Sequence, residues 1–263
     1  MTHAKLKAGK DSGLFYIMNA TRNIKLVIHY DGTNYHGWAS QPQTATVQNT
    51  IEETIRKLTG KPVKVYGSSR TDAGVHALGQ VANFHIDCPV PTENFQNALN
   101  NLLPTDITIA GVSEVPDEFD AISDTIEKRY DYLINTHPIR PVLVRNQWHR
   151  PGPLEAEKMN AAAKLLVGTH DFKSFASAAD QRESSVRTIT RCQVEQEGDI
   201  IRITVAANGF LYNMVRNIVG TLVEIGRSRW QPEYIQEILE AEDRTAAGPI
   251  APACGLCLME IHY

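Results

Sequence analysis

Apolar side chains recur along this chain with two periods, and the changes of period divide it into elements. Ile24, Leu26, Ile28 and Tyr30 fall on alternate positions, the spacing of a strand with one buried face. After the turn-like DGTNYHGWAS, the segment TATVQNTIEETIRKLTGK sets Val47, Ile51, Ile55 and Leu58 at helical spacing. Thr46 is its expected N-cap and Gly60 its stop. PVKVYGSS and GQVANFHI read as strands, and ENFQNALNNLL as a helix with Phe95, Leu99 and Leu102 on one side. ITIAGVSEV closes this half as a further strand.

The second half loosely repeats that theme. KRYDYLIN predicts a strand, and EAEKMNAAAKLLVG a helix ending at Gly168. TITRCQVEQEGDIIRITVAA predicts a hairpin turning at Glu197-Gly198-Asp199. FLYNMVRNIVGTLVEIG reads as a helix, with Met214, Ile218 and Leu222 in one row and Val215, Val219 and Val223 beside it. A short helix with Pro232 in its first turn and a last strand, GLCLMEIHY, follow. Two similar α/β halves, over 23–115 and 116–263, predict an α+β fold with mixed or antiparallel sheets flanked by helices. Their join falls near the acidic, proline-interrupted SEVPDEFD. Residues 1–22 carry Lys5, Lys7, Lys10 and Arg22 against Asp11 alone, and are expected to form a mobile basic extension.

Composition narrows the class. With 263 residues, 42% of them hydrophobic and 21% charged, the chain suits a soluble globular protein with an ample core. No apolar run approaches the roughly 20 residues of a membrane span, and GLFYIM is too short for a signal-peptide core. The expectation is a cytoplasmic protein. Cys88, Cys192, Cys254 and Cys257 are too few for a disulfide framework. The C-x-x-C at 254–257 lacks the second ligand pair of a zinc site and runs into a strand pattern. A net charge of −4 excludes a wholly basic nucleic-acid binder but not a local basic groove. Phosphate-loop, H-E-x-x-H and G-x-S-x-G signatures are all missing. Any catalysis is therefore expected from side chains, without cofactor or metal.

Those side chains gather in GSSRTDAGVHALGQVANFH, residues 67–85. An aspartate in a turn ordinarily bonds nearby backbone amides. Asp72, however, stands beside Arg70, before the open backbone of Ala73-Gly74, and four residues before His76. An aspartate that attacks or abstracts must be ionised, and a nearby guanidinium is expected to lower its pKa and fix its direction. Arg216 lies among apolar residues of its helix, and a guanidinium so placed needs a backbone carbonyl or a carboxylate. Asp72 is an economical partner. Tyr130 and Tyr132 share a strand face, either as core filling or, beside Lys128 and Arg129, as a surface for a nucleobase. The basic residues of RPVLVRNQWHR and QRESSVRTITRC read as an ordinary solvated face.

Taken together, these motifs resemble the TruA-type tRNA pseudouridine synthases. The matching segments are YDGTNYHGW (30–38), GSSRTDAGVHALGQV (67–81), LPTDI (103–107), KRYDY (128–132), HDFKSF (170–175), NGFLYNMVRNIVGTLVEIG (208–226) and APACGL (251–256). They stand in family order across residues 24–263. The resemblance implies a pseudouridine synthase fold with a central basic cleft. It implies an isomerase that converts uridine to pseudouridine at positions 38, 39 and/or 40 of the tRNA anticodon stem-loop, with no cofactor. By the same resemblance Asp72 is the catalytic aspartate, Arg216 its basic partner, Tyr130 the tyrosine that packs on the target base, and Arg70 the arginine that engages RNA as the base is flipped. A cytoplasmic homodimer sharing one tRNA is also implied. An RNA-binding or RNA-chaperone protein keeping the fold without catalysis is the alternative. A glycosidase acting on free nucleosides is weaker, since a broad basic surface would be superfluous to it. Trp38-Ala39 departs from the W-Q of many members, and Phe119-Asp120-Ala121-Ile122 from F-H-A-R, removing two groups able to contact phosphate. The basic extension is a candidate to supply some of that attraction.

Overall fold

The computed structural model describes residues 21–263. The expected basic extension thus lies outside the described residues except for its last two positions. Arg22 belongs to the fold itself: it opens β1 (Arg22–Tyr30), and its guanidinium donates to the carbonyls of Cys88 and Val90 at 2.9 and 2.7 Å.

Among the described residues, ten strands form one sheet. In chain order they are β1, β2 (Tyr66–Gly67), β3 (His76–Ile86), β4 (Ile107–Val115), β5 (Glu127–Asn135), β6 (Trp148–His149), β7 (Gly168–Asp171), β8 (Val186–Glu197), β9 (Ile200–Ala207) and β10 (Leu256–His262). The spatial order is β4-β1-β3-β10-β5-β9-β8-β7, with β2 attached to β3 and β6 to β5. All pairings are antiparallel except β3 with β10 and β5 with β6. The last strand therefore stands between strands of the two halves. Five α-helices pack with the sheet among the described residues: α1 (Val47–Thr59), α2 (Thr92–Asn100), α3 (Ala156–Leu165), α4 (Met214–Gly226) and α5 (Tyr234–Ala241). Of these, α2 packs on β4, and α3 on β8 and α4. One continuous apolar core runs from Ile24 in β1 to Ile261 in β10. Among the described residues no helix is long and apolar enough to cross a membrane.

Local chemistry explains where elements start and stop. The Thr46 side chain accepts from Asn49 N–H at the head of α1, and Gly60 ends it at φ +73°. PVKVYGSS yields only the two-residue β2. Both backbone groups of Val65 are taken by α1 side chains, its N–H by Glu52 at 2.9 Å and its carbonyl by Gln48 at 3.0 Å. α2 stops at Asn100, whose side chain exchanges hydrogen bonds with both backbone groups of Ile109 in β4. Leu102 consequently lies outside the helix and exposed, while Leu103 turns toward the core. α3 ends at Leu165, and Gly168, at φ +121°, begins β7 instead of closing the helix. Pro232 precedes α5, its carbonyl accepting from Ile235. The β8–β9 turn falls at Gly198-Asp199 as the pattern predicts.

Candidate active site

The loop from β2 to β3 carries Asp72, and its backbone is clamped on both sides of that residue. Before it, Ser69 is held by the fully buried Gln80, whose amide accepts from Ser69 N–H at 3.2 Å and donates to Ser69 C=O at 2.6 Å. Thr71 shares a 2.7 Å hydroxyl hydrogen bond with Tyr30, and its carbonyl accepts from Trp38 N–H at 3.0 Å. Gly37 permits that approach: it sits at φ +88°, and a Cβ there would stand 2.5 Å from the Thr71 carbonyl oxygen. After Asp72, Gly74 N–H donates to Tyr35 C=O at 3.3 Å. His76 is buried behind the loop, its Nδ1 3.2 Å from Gly32 N and 3.1 Å from Asp31 Oδ1. His76 thus ties the loop to the 31–34 turn.

Opposite the loop stands α4, where every residue except Arg216 is buried. The helix is entered through Asn213 at φ +61°, a left-handed conformation that asparagine tolerates better than most residues. The Arg216 guanidinium makes three short-range bonds: Nη1 to Asp72 Oδ2 at 3.1 Å, Nη1 to Asn213 Oδ1 at 3.0 Å, and Nε to Ala251 C=O at 2.8 Å. Both alternatives weighed from the sequence hold together, for Arg216 meets a carbonyl and a carboxylate. Segment 248–251 lies so close to α4 that a side chain at Gly220 would be driven into the Pro249 carbonyl.

Electrostatically, the pair differs from the sequence-based expectation. Burial raises the Asp72 pKa above the ordinary aspartate value, and the hydrogen bond and charge of Arg216 only partly oppose it. The neighbouring cation is Arg216, 144 positions away in sequence. Arg70 is exposed and has no hydrogen-bond or ion-pair partner among the described residues. Asp72 is thus a carboxylate aimed by a guanidinium, with its ionised form less stabilised than that of a free aspartate.

The site opens into a cleft of about 1120 Å³ lined by Arg70, Asp72, Lys128, Tyr130 and Arg216, among others. Five Lys or Arg side chains line it (Arg70, Lys128, Arg182, Arg187, Arg216) against two carboxylates, Asp72 and Asp180. The groove is thus locally basic in a chain of net charge −4. Tyr130 lies against the loop that carries Asp72, its hydroxyl 2.6 Å from Ser69 Oγ, and packs edge-to-face on Phe210 at 5.2 Å. Tyr132, on the same face, instead fills the core and donates to Pro252 C=O at 2.7 Å. Lys128 was not singled out from sequence except as a basic neighbour. Its ammonium donates to Ser68 C=O, and burial, with the nearby Arg182 charge, pushes its pKa down to about 8.

The departures from the family pattern also acquire positions. Asp120 accepts from the backbone N–H groups of Ile122 and Ser123, and Ile122 presents an exposed apolar side chain to the cleft. Ser69, Gln80 and Asn213 escaped sequence reasoning. The one signal available was Asn213, a residue type suited to positive φ, immediately before a helix. Burial pushes the Cys257 thiol up to about 12 and raises Cys254, so neither is an activated thiolate.

Comparison with known proteins bears on this geometry. A family model described as tRNA pseudouridine synthase matches residues 26–122 and 162–263. The tRNA pseudouridine synthase A 2 of Clostridium perfringens is 48% identical over 243 residues, covering 92% of this chain and all of its own length. The tRNA pseudouridine synthases A of Acetivibrio thermocellus and Caldicellulosiruptor saccharolyticus are 48% and 46% identical with the same coverage. Among solved structures, a Cbf5-Nop10-Gar1 complex aligns with 89% of this chain and 57% of its own at 12% identity and a TM-score of 0.35. That likeness is too loose to add to the family assignment.

Proposed function

Since the chain belongs to the tRNA pseudouridine synthase family and isomerises uridine in tRNA, we propose that it acts at positions 38, 39 and/or 40 of the anticodon stem-loop, with Asp72 as the essential carboxylate and no cofactor. The observation that carries this reading is the Asp72–Arg216 pair in the basic cleft, where the only unburied residue of α4 meets the clamped loop.

A base within a stem must be extruded, at a cost of a few kcal/mol of stacking and pairing. Tyr130 offsets part of that cost by packing on the uracil, and its bond to Ser69 keeps ring and catalytic loop in register. Arg70, exposed and unpartnered among the described residues, is free to engage the RNA backbone as the base leaves the stack. With the uridine seated, the N1–C1′ bond breaks, the base turns while bound, and C5 joins C1′. Asp72 acts on the ribose or base, or removes a sugar proton; Arg216 holds its carboxylate in line for either route. The reaction is internally balanced: one glycosidic bond is exchanged for another, C5 gives up its proton, N1 takes one up, and any sugar proton removed is returned.

The reading includes a cytoplasmic homodimer that shares one tRNA. Its support is an exposed apolar run, Ile139, Val142 and Leu143, of the kind that docks a second protein surface. It also includes residues 1–18 as an auxiliary phosphate contact.

The decisive experiment incubates the protein with unmodified tRNA and maps pseudouridine chemically, alongside Asp72→Ala. The expected result is product from the wild type, and tRNA binding without product from the variant. Product formed normally by Asp72→Ala would overturn the assignment of the carboxylate. Product confined to other tRNA positions would overturn the assignment of the anticodon stem-loop.

A further inference from the structure

Beyond the pocket around Asp72 and Tyr130, the cleft carries an aromatic ring and a cation that the reaction as described does not use. Tyr212 lines the cleft and is 44% exposed. Its backbone is nevertheless fixed on both sides. Its N–H donates to the Asp180 carboxylate, and its carbonyl accepts from Ser177 N–H at 3.0 Å. The next residue, Asn213, donates to Ser177 Oγ at 2.7 Å. Among the described residues the Tyr212 ring has no aromatic partner and its hydroxyl no hydrogen bond. A ring on a rigid backbone, with only two side-chain torsions to order, loses little entropy on stacking. The other tyrosine and phenylalanine rings lining the cleft, Tyr130 and Phe210, are already packed on each other.

The same carboxylate places the cation. Asp180 accepts from Arg182 N–H at 3.0 Å and pairs with the Arg182 guanidinium. That side chain is about half exposed, so its remaining N–H groups stay open to the cleft. Asp180 is itself nearly buried and occupied by three donors, so it presents little free acceptor surface to an incoming anion. A flat apolar face beside a guanidinium fits a nucleotide, base on ring and phosphate on cation.

We propose that Tyr212 and Arg182, both hung from Asp180, form a second nucleotide subsite on the cleft wall, taking an unpaired base next to the extruded uridine and that nucleotide's phosphate. This rests on the reading of the cleft around Asp72 as the RNA site.

The test measures unmodified tRNA transcript binding to Asp72→Ala protein, in which chemistry is stopped, with and without changes at the subsite. Tyr212→Ala is expected to weaken binding about 5- to 150-fold, the range for losing one stacked base. Tyr212→Phe should bind within about twofold of its parent, and Arg182→Gln should lower the salt slope of binding by about one phosphate. In the otherwise active protein, Tyr212→Ala should raise KM while single-turnover chemistry at saturating tRNA is kept. Unchanged affinity in Tyr212→Ala would overturn the proposal, as would an equal loss in Tyr212→Phe, which would make the hydroxyl the contact. Product from Asp72→Ala would instead overturn the reading of the catalytic site, so the two failures are separable.

Discussion

Removing Arg216 and neutralising Asp72 should move stability in opposite directions, although the two side chains are partners. Arg216→Met deletes a guanidinium bonded to Asp72, Asn213 and Ala251. Two unit charges about 4 Å apart attract by about 4 kcal/mol at an effective dielectric of about 20. With side chains 16% and 20% exposed, solvent screening cuts that to about 2 kcal/mol. Two part-buried oxygens left without their donor add about 1 kcal/mol each. The total, about 4 kcal/mol, lies within the roughly 3–5 kcal/mol seen when one member of a buried ion pair is removed. Against a stability of roughly 5–15 kcal/mol the variant should stay folded, with a melting temperature roughly 8–16 °C lower. Asp72→Asn behaves otherwise. Its amide oxygen still accepts from Arg216, and the buried charge is gone. Because burial raises the Asp72 pKa, the folded state holds that proton more tightly than the unfolded chain. The group's contribution is then fullest below the unfolded carboxylate range and is lost as pH rises through the raised folded value. Asp72→Asn should melt at or above the wild-type temperature at pH 7, with its advantage shrinking in acid, while making no pseudouridine. Thermal unfolding of the three proteins between pH 4 and 8 checks this. A wild-type melting temperature for Arg216→Met, or Asp72→Asn less stable than Arg216→Met, would refute the reasoning.

Gln80→Leu strands the N–H and carbonyl of Ser69, and should cost roughly 2–5 kcal/mol in urea unfolding while lowering single-turnover rate through the loosened Ser69–Tyr130 contact. Gly220→Ala forces segment 249–251 off α4; a loss of about 1–3 kcal/mol is expected, with slower chemistry because Ala251 no longer meets Arg216. Lys128, with its pKa pushed down to about 8, should lose its charge as pH rises through that value, weakening tRNA binding; Lys128→Met should lack that extra fall. For stability the sign is reversed. Its depressed folded value means the contribution of this lysine grows from about pH 8 toward the unfolded value of about 10.4, as pH-dependent unfolding of the same two proteins should show.

Elements whose pattern is local were legible in the sequence. β4 occupies the predicted residues, and α1 begins and ends at its predicted caps. In α4, both predicted apolar rows are buried. The failures share one cause, since each depends on a group distant in sequence. Val65 reads as strand but spends its backbone on Gln48 and Glu52. At Asp72 the sequence shows only the nearby Arg70, whereas the burial and the Arg216 contact that set its pKa direction come from the assembled fold. The partnership of Asp72 with Arg216 was inferable because a lone guanidinium among apolar residues demands an acceptor. Nothing in the spacing of Ser69, Gln80 or Asp180 announces what each holds.

The placement of β10 has a consequence for how activity arises during synthesis. It pairs with β3 on one side and β5 on the other, and the segment before it delivers Ala251 to Arg216. A chain lacking residues 249–262 therefore has neither the strand that pairs with both β3 and β5 nor the Ala251 carbonyl that holds Arg216. Pairing that strand joins residues far apart in sequence, a slow step in folding. An unfinished polypeptide therefore holds Arg216 without its Ala251 contact until the last segment is in place.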